Sequence, residues 1–209
     1  MNGYIPSAQE VEYLKNYDPG AWPRPSVTAD LMVLAGKKEK KLLLVKRGGF
    51  PYKGWWALPG GFCEPGEPPE KTAERELGEE TGVKVEKYSL LGVFGGEGRD
   101  PRGWTVTCAF LALTEDEPEA NAADDAEAAV WFSPSVKNVG KDGLGRSLWE
   151  LKLSSEKEEL SAVIAQNEKF PELIETGLEI TDRRGIAFDH AKFIAAALLR
   201  QVTAGKESL

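Results

Sequence analysis

The stretch from Pro68 to Gly82 constrains the fold more than any other part of the sequence. Prolines suit the first turn of a helix and glycine suits its end, so this spacing predicts a helix from Pro69 to Thr81. Three glutamates, Glu76, Glu79 and Glu80, fall within five positions of that helix. Residues three and four apart lie on one helical face, so these like charges are neighbours.

Apolar runs on both sides of this helix predict β-strands. ADLMVLAG and KLLLVKR, joined by KKEK, predict a β-hairpin, and WWALPGGF predicts a short strand broken at Pro59-Gly60-Gly61. After the helix, VEKYSLLGVFG and WTVTCAFLALT predict two longer strands, and an acidic connection leads to a short strand, AVWF. In the second longer strand, alternation places Thr105 and Thr107 on one face and Val106 and Cys108 on the other.

The remaining segments extend this α+β pattern. Residues 9–17 predict a short helix, SLWELKL and LSAVIAQ predict a second hairpin, and FPELIETGLEITD is ambiguous. FDHAKFIAAALLRQV predicts a closing helix with Asp189 near its start and Gly205 just past its end. We expect one domain over residues 1–209, with a core at about 23–136, a closing helix at 187–204 and an inserted hairpin region at about 137–184. A second domain from Ser133 onward is the alternative.

Composition excludes several classes of function. The chain has 209 residues, a net charge of -8 and two cysteines, and its pI is about 4.9. This acidic balance argues against a nucleic-acid-binding surface, which needs a basic stripe. The N-terminus has no signal-peptide pattern and no apolar run is long enough to span a membrane. Two cysteines form no disulfide framework, so we expect reduced thiols and a cytoplasmic location.

The glutamate cluster has two interpretations. In the first, it is a solvated acidic helix face. In the second, it binds hard divalent cations, because each like-charge pair costs about 0.2–0.5 kcal/mol even in water and a cation would offset that repulsion. Carboxylate oxygens select Mg²⁺, Ca²⁺ or Mn²⁺ over zinc, and Mg²⁺ keeps positions open for substrate phosphates. The bare backbone at Pro59-Gly60-Gly61 offers a carbonyl as a further oxygen ligand, which favours the cation site.

The spacing of these residues resembles the signature of the Nudix hydrolases. Gly61 is followed after five residues by Glu67 and after seven more by Arg75-Glu76-Leu77, and then come Glu79-Glu80 and Gly82-Val83. The resemblance extends from about residue 27 to 132, and it implies an α/β/α sandwich with a mixed β-sheet. It also implies hydrolysis of the pyrophosphate bond in a nucleoside diphosphate linked to another group.

The resemblance also implies roles for individual residues. Glu76, Glu79 and Glu80 would bind Mg²⁺, with Mn²⁺ as the alternative, and the Gly60 carbonyl would be a further ligand. Glu67 and Arg75 would lie behind these ligands and hold the geometry of helix and loop. The general base comes from the helix in some family members and from a distant loop in others. In the acidic connection we favour the later candidates, Asp124, Asp125 and Glu127, with a solvated loop as the alternative.

Sequence clues to the substrate lie outside the signature. The stretch GRDPRGW resembles one found in bacterial ADP-ribose pyrophosphatases and in ADP-ribose-sensing regulators, and AFDHAKFIAAALLR resembles the closing helix of that subgroup. Arg99 and Arg102 could present guanidinium groups to phosphate and Asp100 a carboxylate to ribose; a charged turn is the alternative. His190 is expected to be structural. The aromatic candidates for stacking an adenine, with core packing as the alternative role, are Phe50, Tyr52, Trp55 and Trp56.

The sequence therefore predicts a Mg²⁺-dependent ADP-ribose pyrophosphatase that releases AMP and ribose 5-phosphate. Alternative substrates are NADH, dinucleoside polyphosphates, sugar nucleotides and modified nucleoside triphosphates. An ADP-ribose-sensing transcription regulator on the same domain is the alternative from another class. By resemblance we expect a homodimer that binds a small nucleotide, without nucleic acid or membrane as partner.

Overall fold

A computed structural model describes the backbone of residues 4–124, 126–167, 169 and 174–207, with side chains up to residue 200. The helices are α1 (Ala8–Asn16), α2 (Pro69–Thr81), α3 (Ile174–Gly177) and α4 (His190–Glu207), with a 3-10 turn at Pro19–Ala21. The strands are β1 (Ser26–Ala35), β2 (Lys41–Arg47), β3 (Trp56–Ala57), β4 (Gly60–Phe62), β5 (Ser89–Phe94), β6 (Thr105–Thr114), β7 (Ala126–Lys141), β8 (Ser147–Ser154), β9 (Glu159–Gln166) and β10 (Leu178–Arg184).

Helix α2 has the boundaries that the sequence predicts. Pro68 is its N-cap and a proline occupies the first turn, where a missing N–H does no harm. Gly82 ends the helix in the left-handed conformation, with φ of 70°, and its N–H donates to the Gly78 carbonyl at 2.9 Å. The buried side chains of Ala73 and Leu77 form the apolar stripe of the helix.

The sheet is mixed, as expected from the resemblance. β1 lies parallel to β6 and antiparallel to β2 and β4. The strands follow the order β10-β9-β8-β7-β2-β1-β6-β5, with β3 on β2 and β4 on β1. The predicted β1–β2 and β8–β9 hairpins are confirmed. β6 alternates as predicted, but its threonine face is the more buried one.

Alternate residues of β1 face two different helices, which makes the molecule an α/β/α sandwich. Leu31 belongs to a buried cluster with Leu77 of α2. Leu34, on the other face of the strand, belongs to a second cluster with Phe193 of α4. This arrangement places α2 and α4 on opposite faces of the sheet, with β1 between them.

Strand β7 is far longer than the short strand predicted from AVWF. It spans 16 residues. Its first half pairs with β2, where Phe132 lies opposite Leu42, and its second half pairs with β8, where Ser133 lies opposite Ser154. The predicted inserted hairpin is therefore part of a four-stranded antiparallel extension, β7 to β10. The sequence Ser133-Pro134-Ser135 suggests that a strand ends there. Pairing with β2 on one side and β8 on the other continues β7 through these residues.

Helix α4 differs from its predicted bounds at both ends. The prediction of 187–204 begins too early, because Phe188 has a left-handed backbone with φ of 51° and cannot join the helix. The helix also continues past Gly205 to Glu207, since a glycine within a last turn weakens a helix without ending it.

The other terminal and ambiguous segments are also resolved in part. Helix α1 begins one residue before the predicted 9–17 and has a Ser7 capping box. In FPELIETGLEITD, residues 170–173 lie outside the described part, and the rest forms α3 and β10. Over the described ranges, none of the helices combines the length and apolarity needed to cross a membrane.

Candidate active site

Strand β4 brings bare backbone against helix α2. Gly60 and Gly61 lie opposite Asp30 and Ala29 of β1. A Cβ on Gly61 would lie 2.4 Å from Glu76 Oε1, and a Cβ on Gly60 would lie 2.5 Å from Asp30 Oδ1. Both distances are far below normal contact. At Gly60 the added atom would also lie 2.5 Å from the Ala29 carbonyl oxygen, so this position excludes a side chain, whereas at Gly61 it would displace the Glu76 carboxylate. This close approach is the physical reason for two successive glycines.

Arg75 links three carboxylates of the signature. Its Nη1 donates to Glu76 at 2.8 Å and to Glu79 at 2.9 Å. Its Nε and Nη2 donate to Glu67 at 3.1 and 3.0 Å. The hydrogen bonds from Arg75 are the main cause that lowers the pKa of Glu67 to about 2. One guanidinium therefore offsets much of the repulsion that the sequence implies.

Glu80 is the most enclosed of the three clustered glutamates. Its Oε2 accepts a hydrogen bond from the Gly60 N–H at 3.1 Å. Burial, with Glu76 and Asp30 adding negative charge nearby, raises the pKa of Glu80 to about 8. Burial also raises the pKa of Glu76. These surroundings disfavour negative charge, and a bound cation would reverse that preference.

The donor set fits a hard divalent cation. Glu76, Glu79 and Glu80 offer carboxylate oxygens on one helix, and the β4 backbone lies beside them. Across the described ranges, no three acidic, histidine or cysteine side chains converge closely enough to hold an ion as they stand. Two of the three carboxylates, those of Glu76 and Glu79, are engaged by hydrogen bonds from Nη1 of Arg75. Ion binding would therefore require those carboxylates to turn from Arg75, and the Gly60 carbonyl stays a predicted ligand.

A cleft of about 530 Å³ is lined by the β4 backbone and by two of the three clustered glutamates, whereas Glu79 does not line it. Its volume lies within the range of small-molecule sites. Glu76 and Glu80 line it, together with Arg47 at the end of β2 and Arg102 from the β5–β6 loop. Phe50 also lines it, although 85% of this residue is exposed. The cleft thus combines acidic groups, guanidinium groups and two exposed aromatic rings, the second being that of Phe62.

Of the two candidate loop bases that the structure describes, one lines this cleft. Asp124 lines it, next to a loop that docks on the end of α2 through the Ala123 N–H, which donates to the Glu80 carbonyl at 3.1 Å. Asp125 lies outside the described residues. Glu127 has an exposed side chain on β7 and does not line the cleft.

The predicted substrate-binding turn presents one arginine to the cleft. Arg99 is buried, with 6% of its side chain exposed, and forms a bidentate pair with Asp189 at 3.2 and 3.0 Å. Asp100 is also buried and accepts hydrogen bonds from the Arg102 guanidinium at 2.7 to 3.1 Å. Arg102 lines the cleft and 41% of its side chain is exposed. Substrate contacts by Arg99 and Asp100 stay predictions, since both are committed to neighbouring charges.

The aromatic candidates separate by burial. Trp56 is buried and packs edge-on against Phe132 at 4.9 Å, so its role is core packing. Tyr52 and Trp55 pack against each other at 5.6 Å. Of the four candidates, Phe50 is the exposed ring that lines the cleft.

A buried polar network behind Gly60 was not predicted. Thr107 Oγ1 donates to Asp30 at 2.6 Å, and burial raises the pKa of Asp30 to about 6. His190 Nδ1 accepts the Leu58 N–H at 2.9 Å, and burial holds the pKa of His190 well below its usual value. His190 is therefore neutral and braces the chain that enters β4. The sequence signal that could have indicated this network is Asp30, the one charged residue in the apolar run ADLMVLAG.

The fold and the site define a class of protein, an α/β/α sandwich with a glutamate helix and a glycine strand at a nucleotide-sized cleft. The family model described as the NUDIX domain matches residues 24–141, more than half of the chain. The chain belongs to the NUDIX domain family.

Individual relatives narrow this class. An ADP-ribose pyrophosphatase of Methanocaldococcus jannaschii is 44% identical over 108 residues, which are 52% of this chain and 62% of that protein. An ADPR responsive transcriptional repressor, NtrR, of Acinetobacter baylyi is 31% identical over 129 residues, which are 60% of this chain and 52% of that protein. The chain thus spans about half to three fifths of the length of these curated relatives.

Solved structures are similar over most of the chain. A MutT/nudix family protein from Enterococcus faecalis is 30% identical with a TM-score of 0.72, over 95% of this chain and 70% of that one. The NUDIX domain of Shewanella oneidensis NrtR, in complex with ADP ribose, is 26% identical with a TM-score of 0.63, over 92% of this chain and 98% of that one. The similarity therefore includes the region beyond the family model.

Proposed function

We propose that this chain is a pyrophosphohydrolase that cleaves ADP-ribose into AMP and ribose 5-phosphate. One observation carries the proposal: Glu76 and Glu80 meet the bare backbone of β4 in a cleft that also holds Arg47 and Arg102. Carboxylates provide oxygen ligands for cations and guanidinium groups bind phosphate, so this combination suits a diphosphate. The 44% identical relative named as an ADP-ribose pyrophosphatase supports the substrate.

The proposed cation site uses Glu76, Glu79 and Glu80, with the Gly60 carbonyl as a further oxygen. Mg²⁺ is the proposed ion and Mn²⁺ the alternative. Bound there, a divalent cation would neutralise charge on the diphosphate and lower the pKa of the attacking water. Arg75 would keep its bonds to Glu67 and so hold the end of the loop against α2.

Asp124 is the proposed general base. Its carboxylate would accept a proton from the attacking water as the water oxygen bonds to one phosphorus atom. The bond from that phosphorus to the bridging oxygen would then break, which leaves two phosphate monoesters. This assignment rests on the position of Asp124 in the cleft beside the glutamates.

A matched pair of variants tests this assignment. We expect Asp124→Asn to lower kcat for ADP-ribose by about 10²- to 10⁴-fold, because proton transfer loses its acceptor. Glu127→Gln removes the same charge three residues away, outside the cleft lining, and should keep wild-type kcat. Product AMP would be measured by chromatography with Mg²⁺ and then with Mn²⁺. Equal effects of the two substitutions would refute the role of Asp124.

The same assay decides among substrates. A panel of ADP-ribose, NADH, dinucleoside polyphosphates, sugar nucleotides and modified nucleoside triphosphates would be compared by kcat/KM. The highest value is expected for ADP-ribose. If no member yields phosphate monoesters with either ion, the proposed hydrolase is refuted.

An ADP-ribose-sensing regulator is the second candidate. The similarity to the NUDIX domain of an NrtR protein in complex with ADP ribose favours it. The complete set of signature glutamates favours the hydrolase instead, since sensing alone needs no cation cluster. Shifted mobility of DNA together with the absence of hydrolysis would reverse this order.

Three further properties stay predictions. Light scattering would test the homodimer, cell fractionation would test the cytoplasmic location, and the DNA mobility assay would test the lack of nucleic-acid binding.

A further inference from the structure

Backbone strain is present at one residue of the cleft lining and at two aromatic residues that pack on each other. Among the described residues, three that are not glycine have a positive φ, namely Tyr52, Asp124 and Phe188. Asp124 lines the cleft, and Tyr52 packs edge-on against the ring of Phe188 at 4.9 Å. Such conformations persist where the surrounding structure enforces them, and they are concentrated at functional sites. The positive φ of Phe188 therefore points to a functional role for this residue.

The ring of Phe188 contacts two guanidinium groups. The Cζ atom of Arg47 lies 4.9 Å from the ring centre and that of Arg102 lies 5.5 Å from it. Both distances fall within the range of cation–π attraction, which strengthens when the ring is shielded from water. Only 5% of Phe188 is exposed. A second ring, Phe62, lies 4.7 Å from Arg102.

Hydrogen bonds fix the orientation of both arginines. Arg47 Nε donates to the Pro51 carbonyl at 2.8 Å. Arg102 Nε and Nη2 donate to Asp100 at 3.0 and 2.7 Å. Both arginines line the cleft of about 530 Å³ and also a smaller pocket of about 60 Å³ that Phe188 helps to form. Two guanidinium groups that lie near one ring and line the same cleft could both donate hydrogen bonds to one phosphate bound there.

We propose that Phe188 is the positioning residue of an anion subsite, formed by Arg47 and Arg102, that takes one phosphate of a diphosphate substrate. The proposal rests on the proposed function, since the glutamates of the same cleft are the proposed place of cleavage. Phe188 lies after residue 141, where the family model ends. The segment before α4 therefore completes the phosphate site from outside the matched region.

The main test is Phe188→Leu, which keeps an apolar side chain and removes the ring. We expect the KM for ADP-ribose to rise about tenfold while kcat stays within about threefold, because the arginines bind substrate and do not transfer protons. The inhibition constant of inorganic pyrophosphate should rise by a similar factor. Phe94→Leu is the matched control, since Phe94 is fully buried in β5 and packs on Phe193 instead. Phe94→Leu should leave both constants unchanged.

A double-mutant cycle distinguishes positioning from general loss of packing. Arg102→Gln should raise KM in the wild-type background and add little in the Phe188→Leu background, because both changes disrupt one interaction. Fully additive effects would overturn the proposal. If thermal unfolding shows that Phe188→Leu does not fold, Arg47→Gln and Arg102→Gln serve instead. Unchanged pyrophosphate affinity in both would overturn the proposal.

Calorimetry separates this proposal from the proposed hydrolysis. Binding of inorganic pyrophosphate in Mg²⁺ buffer requires no turnover. A chain that cleaves no ADP-ribose, yet loses about tenfold in pyrophosphate affinity with Phe188→Leu, would keep the subsite and lose the proposed activity. If the wild type and Phe188→Leu both cleave ADP-ribose with equal KM, the proposed activity stands and the proposed subsite is overturned.

Discussion

At the scale of single residues, Glu80 is a proposed cation ligand whose negative charge destabilises the folded chain. Its pKa is raised from 4.5 to about 8, mainly by burial. The folded chain therefore holds this proton more tightly than the unfolded chain does. Stability attributable to Glu80 is highest below pH 4.5 and falls as the pH rises towards about 8. The fold keeps a carboxylate where a neutral group would be more stable, which is typical of functional sites.

Glu80→Gln should therefore raise stability and abolish activity together. Glutamine keeps an oxygen that accepts the Gly60 N–H but carries no charge. In EDTA at pH 8 we expect the free energy of unfolding to rise by about 4 kcal/mol, and at pH 5 by much less. Urea unfolding at the two pH values measures this. Glu79→Gln, at a more exposed position, is the control and should change stability little; equal gains at both pH values would contradict the reasoning.

Residues of the site differ in how far sequence could predict them. The glutamates and Arg75 were found because they share one helix and a fixed spacing. Arg47, Asp30 and Phe188 come from separate segments that only the tertiary fold brings together. A single sequence carries no pairing information for such residues, although a charged residue inside an apolar strand is a usable signal.

At the scale of elements, local signals fixed some boundaries and tertiary pairing fixed others. Helix α2 is bounded by Pro68 and Gly82, so its limits follow from backbone chemistry alone. β7 continues through Pro134, because its two halves find partners in β2 and β8. Local punctuation cannot report a partner strand that lies elsewhere in the chain, so the extension to a 16-residue strand was not predictable.

Gly61 in the cleft lining and Gly78 within α2 should respond oppositely to substitution by alanine. In Gly61→Ala the new Cβ would lie 2.4 Å from Glu76 Oε1, so it should displace that carboxylate and lower kcat at least about tenfold. Gly78 lies within α2 with no atom within 4 Å of an added Cβ. Gly78→Ala should stabilise the helix by about 0.5–1 kcal/mol and leave kcat unchanged. Thermal unfolding and ADP-ribose turnover of both variants check this; wild-type turnover of Gly61→Ala would contradict it.

At the scale of the whole molecule, one buried cluster joins both parts of the sheet. It contains Leu34 and Leu42 from the central strands, Leu151 and Ile164 from β8 and β9, and Phe193 from α4. We propose on this basis that residues 1–209 fold as one domain. A separate domain from Ser133 onward would need its own core, whereas this core is shared.

Leu151→Ala should therefore destabilise the entire molecule. Leu151 is fully buried in β8, so we expect a loss of about 2–5 kcal/mol in a single unfolding transition. Calorimetry and loss of ADP-ribose turnover should give the same midpoint. Leu144→Ala, at a loop residue that is 80% exposed, should change nothing. Two separate transitions would favour the two-domain alternative.

Helix α4 also determines where the chain can be cut. It covers the side of the sheet that carries Leu34 and Leu44, yet it begins 49 residues after the family model ends at residue 141. A polypeptide that ends at residue 141 would expose this apolar face of the sheet to water and should precipitate. In this chain, the part that the family model matches is therefore shorter than the part that we expect to fold as one stable unit.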